Sequence, residues 1–72
     1  MDSNQAIILA RKNIGGAMES SARLRLADAV QLYDKGDYKF ATFAALDSLK
    51  YSVGIAHPDC KKVMAFYNKI AA

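Results

Sequence analysis

Much of what stabilises or activates small proteins is missing from this sequence: it has no tryptophan and a single cysteine, a single proline and a single histidine. Cys60 stands alone, so no internal disulfide can brace the fold. His57 and Cys60 together fall short of the four ligands that a structural zinc site needs, and no metal or cofactor is expected. No uninterrupted apolar run, Ala6 to Ala10 included, exceeds 5 residues, whereas a membrane-spanning helix needs roughly 18. The opening Met1-Asp2-Ser3-Asn4 lacks the basic segment of a secretory leader. With only Arg11 and Lys12 on its polar side, the first segment is also a poor membrane-surface helix. A cytoplasmic protein without membrane association is the expectation.

What is present is an apolar, moderately charged chain of 72 residues, 53% hydrophobic and 24% charged, with a formal net charge of +3. That is one domain, and too hydrophobic for a disordered chain. A chain this short buries only about 60% of the surface its unfolded form exposes. Such domains are usually reinforced, and with disulfide and metal excluded, self-association or a partner remains. A homodimer is therefore expected.

The pattern is helical throughout. Val, Ile and Thr are scattered among Ala, Leu, Lys, Asp and Ser with no period-2 alternation, and three breaks, Gly15-Gly16, Lys35-Gly36-Asp37 and His57-Pro58-Asp59, divide the chain into four segments. The first helix, residues 4–14, carries Ile7, Ala10, Ile14 and then Met18 on one side. The second, residues 17–35, has Ala22, Leu26, Ala29, Val30 and Tyr33 on a broad face, with Leu24, Ala27 and Leu32 extending it. Gly36 suits the left-handed position after a helix and Asp37 the N-cap of the next, which predicts a tight antiparallel hairpin. In the third helix, residues 38–56, Ala41, Ala45, Ser48 and Ser52 form a seam of small side chains that lets another helix approach closely. Lys39, Asp47 and Lys50 define its polar arc, Asp47 and Lys50 are spaced for a weak ion pair, and Phe43 falls inside the arc as an expected exposed aromatic. The fourth helix, residues 58–71, opens with Pro58 and Asp59 in its first turn and carries Val63, Phe66, Tyr67 and Ile70 at helical spacing. The predicted fold is all-α, a small antiparallel helical bundle of three to four helices.

The stretch Leu26 to Ala41 resembles a tetratricopeptide repeat, with Ala29, Leu32, Gly36, Tyr38 and Ala41 in that family's packing positions. Gly54-Ile55-Ala56-His57-Pro58-Asp59 is similar to the repeat variant of kinesin light chains, in which Gly, two residues and His-Pro-Asp close one helix and open the next. The resemblance spans roughly residues 22–71. It departs from the family at Arg25, where an aromatic or Leu is usual, and at Ala45, where a bulky residue is usual. It implies a helical hairpin that stacks on neighbours, and since about three repeats are normally needed for stability, a second copy or a partner stands in for the missing ones.

Catalytic patterns are weak. His57 before Pro58 reads as a turn residue that helps cap a helix, and Cys60 as a small apolar filler. Gly15-Gly16 has neither the strand nor the spacing of a phosphate loop. The helical RNases of toxin and antitoxin systems need an Arg closely followed by His, but Arg23 and Arg25 lie more than 30 residues from His57.

The sequence therefore points to a non-catalytic protein-interaction module. Contact with another protein is expected through Lys39, Phe43, Tyr51, Lys61 and Lys62, and self-association through Ile7, Ile14, Met18 and Leu24. Size suggests a regulator or inhibitor of a larger complex, of the kind a phage or mobile element encodes. The rival is a small basic nucleic-acid-binding regulator. Residues 1–27 carry four basic and two acidic groups and residues 60–72 three basic and none acidic, which would form a phosphate-contacting footprint if the two ends lay side by side.

Overall fold

A computed structural model describes all residues from Met1 to Ala72. It is all-α, with α1 (Ser3–Lys12), α2 (Glu19–Asp34), α3 (Tyr38–Ser52) and α4 (Pro58–Ala71), and 76% of the chain is helical. No helix is long and apolar enough to cross a membrane.

Capping chemistry sets most of the boundaries. Asp2 and Gln5 form a reciprocal capping box at the start of α1, each backbone N–H donating 2.8 Å to the other's side chain. The helix stops at Lys12, two residues earlier than expected, with Asn13 as C-cap and both Gly15 and Gly16 at positive φ, so the glycine pair breaks the chain rather than kinking a longer helix. At the end of α2 the Asp37 N–H donates to the Leu32 carbonyl and the Gly36 N–H to Tyr33, both at 2.9 Å, with Gly36 at φ +83°. Asp37 then accepts the Phe40 N–H at 3.3 Å as N-cap of α3. The predicted hairpin thus forms on the expected residues. The third helix ends at Ser52 instead of residue 56, because Gly54 takes φ +84° and turns its N–H back to the Leu49 carbonyl at 3.2 Å. The fourth helix has the expected bounds, and the His57 Nδ1 accepts the Asp59 N–H at 3.1 Å.

The helices alternate in direction. The Ser3 hydroxyl at the start of α1 reaches the Tyr38 carbonyl at the start of α3, 3.0 Å, so α1 and α3 run the same way. At the far end the Asn13 amide donates 3.0 Å to Asp59, tying the end of α1 to the start of α4. Helix α3 is the hub: it packs against the other three and contributes Ala41, Thr42, Ala44, Ala45, Leu46, Ser48 and Leu49 to the buried interior. Its small residues admit close neighbours on two sides. Ser48 donates 2.8 Å to the Ala22 carbonyl of α2, and the Thr42 and Ser3 hydroxyls lie 2.9 Å apart toward α1. Ala6, Ile7 and Ala10 from α1, Ala29 from α2, and Cys60 and Val63 from α4 complete one continuous core.

Three expectations need correction. Ile7 is only 4% exposed and belongs to this internal core, so the chain itself covers it and no second copy can. Phe43 is half-buried, because α4 returns along α3 and lays Tyr67 against it with ring centroids 5.1 Å apart. Asp47 pairs with Arg25 of α2 at 3.0 Å, not with Lys50, because Arg25 projects across the hairpin onto it.

Candidate functional site

The chain path gathers the start of α1, the end of α2, the start of α3 and the end of α4 at one pole, and an open cleft of about 380 Å³ lies there. Its apolar lining is Tyr33, Tyr38, Phe66 and Ile70; Asp2, Ser3, Asn4 and Lys39 supply the polar rim. The rings of Tyr33 and Tyr38 are 5.1 Å apart and tilted by 59°, a geometry that favours aromatic pairing. The floor is pinned: the Tyr38 carbonyl accepts from the Ser3 hydroxyl at 3.0 Å and the Thr42 hydroxyl at 2.8 Å. Beside the cleft Phe40 is 52% exposed, with the Lys39 ammonium 5.7 Å from its ring centroid. An open aromatic pocket with one cation and one anion at its edge can take an apolar side chain and hold the flanking backbone of a peptide.

The residues singled out in the sequence do not converge. Lys39 alone reaches this cleft. Tyr51 is exposed in the last turn of α3, and Lys61 and Lys62 are exposed near the start of α4, so all three belong to the opposite pole. Phe43 sits between α3 and α4 on neither pole's rim. Of the self-association set, Met18 and Leu24 are exposed, Leu24 at 69%, while Ile14 is half-buried in the loop after α1. The aromatic lining of the cleft was missed, since Tyr33, Tyr38, Phe66 and Ile70 read as core or flanking residues along single helices. The available signal was topological: a tight hairpin puts the end of α2 beside the start of α3, and a returning α4 ends there too.

The titratable groups fit structural duties. Burial pushes the Cys60 thiol up against the opposing pull of Lys50, which makes it a poor nucleophile. The Asn13 amide holds the Asp59 carboxyl below the usual carboxylate range; burial opposes this, while His57, Lys12 and Lys62 add to it. Burial alone would lower the Arg25 guanidinium, but hydrogen bonds to Asp28 and Asp47 raise it. The imidazole of His57 is engaged as an N-cap.

No family model, curated protein or solved structure matches the chain. Its functional reading comes from the geometry.

Proposed function

We propose that this protein is a non-catalytic interaction module of the cytoplasm that binds a segment of another protein in the aromatic cleft at the α2–α3 turn. The observation that carries the reading is the cleft itself: Tyr33, Tyr38, Phe66 and Ile70 present apolar surface to solvent around a space of about 380 Å³, where a side chain could be buried. Aromatic residues in such a setting are the usual anchors of protein recognition. The resemblance of the α2–α3 hairpin to a tetratricopeptide unit is in keeping with a module of this kind. A regulator or inhibitor that acts by occupying a partner's surface needs nothing more.

Self-association belongs to the same proposal in reduced form. With Ile7 inside the core, the exposed apolar side chains of Met18 and Leu24 are the candidates for the homodimer seam.

The test is selection of peptides from a random library on the immobilised protein, followed by mapping of amide shifts. Selected peptides should carry an apolar anchor, move the signals of Tyr33, Tyr38 and Phe66, and bind at least about tenfold more weakly to Ile70→Lys, the cost of losing one well-placed anchor. Selected peptides whose shifts map away from the cleft would overturn the reading. The mass of the free chain by light scattering across a concentration series reports on the dimer, which Leu24→Asp should dissociate.

A further inference from the structure

The formal charge of +3 is concentrated at one pole. Where α1 and α3 end and α4 begins stand Arg11, Lys12, Lys50, Lys61 and Lys62, all exposed and none in an ion pair. The carboxylates at this pole are Glu19, paired with Arg23 at 2.8 Å, and Asp59, which accepts from Asn13. At the opposite pole Asp2, Asp34 and Asp37 balance Lys35, Lys39 and Lys69, and midway Arg25 lies between Asp28 and Asp47. The hydrogen bond from Asn13 to Asp59 is what brings the basic end of α1 alongside the basic start of α4.

Helix dipoles do not account for the arrangement. The C-termini of α1 and α3 and the N-termini of α2 and α4 share this pole, so their partial charges offset one another. Dipole complementarity explains cations in the last turns of α1 and α3, but Lys61 and Lys62 lie near the N-terminus of α4, where an anion is favoured. Asp59 offsets part of the charge of Lys12 and Lys62, but five cations against this one carboxylate leave an excess of positive charge, and such a cluster creates a local positive potential that attracts polyanions. Four of its five members are lysines, compact point charges on flexible stems that attract an anion's charge without fixing its orientation, as suits contact that ignores base sequence.

We propose that this pole is a phosphate-binding surface that holds the backbone of a nucleic acid independently of its base sequence. It is separate from the aromatic cleft, so either assignment stands or falls without the other.

The experiment is fluorescence anisotropy with mixed-sequence single-stranded RNA and duplex DNA of about 20 nucleotides, a length that exceeds the footprint of so small a domain. If about four phosphates are neutralised, affinity should fall roughly 100-fold between about 50 and about 200 mM salt. Lys61→Ala/Lys62→Ala should weaken binding about tenfold at the lower salt, whereas Lys35→Ala/Lys69→Ala, which removes the same charge from the other pole, should change it less than about twofold. All four positions are exposed and helical or at a helix end, so alanine should preserve helicity, which circular dichroism checks. On the unaltered chain, oligonucleotide should shift the amides of Lys12, Lys50, Lys61 and Lys62. Absence of binding at the lower salt, or equal losses in the two double variants, would overturn the proposal. So would polyglutamate that binds as tightly as RNA, which would assign the pole to an acidic protein.

Discussion

Arg25 of α2 reaches across the hairpin to Asp47 of α3, its Nη2 3.0 Å and its Nε 3.2 Å from one carboxylate oxygen, while its Nη1 meets Asp28 at 2.8 Å. The Arg25 and Asp47 side chains are both about two-thirds or more shielded from solvent, with 30% and 26% exposure. This bridge fixes the hairpin by a polar clasp on its outer side while the alanine seam packs within.

A double-mutant cycle of Arg25→Ala and Asp47→Ala should therefore give a coupling free energy of about 0.5–1 kcal/mol in urea unfolding, the range of partly exposed ion pairs. Salt at about 1 M should reduce it, because screening acts on the exposed portion of the pair. Additive single-variant effects would mean that the two groups meet without contributing to stability.

Gly16 and Gly36 share almost the same backbone angle, φ +82° and +83°, but not the same surroundings. A Cβ on Gly36 would meet open space, so Gly36→Ala should cost only the left-handed strain of about 1–2 kcal/mol. A Cβ on Gly16 would lie 3.1 Å from the Ser52 carbonyl oxygen, where the loop after α1 crosses the end of α3. Gly16→Ala must strain the same angle and also push backbone from backbone, so it should destabilise more than Gly36→Ala. Urea midpoints of the two variants measure the order; a reversed order would mean that the loop has room to retreat.

The parts of the fold that were legible from sequence are those written in local chemistry. Gly36 followed by Asp37, and His57-Pro58-Asp59, each specify a helix end or start through one residue's backbone preference and one side-chain cap, and both turns form there. The spacing of Ala41, Ala45 and Ser48 likewise marked where a helix could come close, and α2 does so through Ser48 and Ala22. What periodicity could not say is which surface covers an apolar side chain. Ile7 was read as awaiting a second copy and lies in the chain's own core; Phe43 was read as exposed and is half-buried against Tyr67. Both depend on the return path of elements distant in sequence. The aromatic cleft was hidden for the same reason, since it is assembled from the ends of separate helices that only the alternating topology brings together, and the basic pole was legible only as a condition, that basic residues near the two ends of the chain lie side by side.

The bond from Asn13 to Asp59 has a consequence for acid stability whose sign follows from the direction of the carboxyl's shift. Hydrogen bonding to Asn13 and the nearby His57, Lys12 and Lys62 favour the carboxylate in the folded chain, against the opposing effect of burial, so the Asp59 pKa lies below its value in the unfolded chain, about 3.9. A depressed carboxyl stabilises the fold fully above the unfolded pKa, and that contribution disappears as pH falls through the folded pKa. Asp59→Asn cannot titrate, so the stability difference between the natural chain and this variant should shift against the natural chain from about pH 4 downward. Urea unfolding of both proteins across that window gives the difference, and the titration of the Asp59 carboxyl carbon by NMR gives its cause. A midpoint at or above the ordinary carboxylate value, or parallel acid limbs for the two proteins, would show that Asn13 holds the ends of α1 and α4 together without favouring the charged form of Asp59.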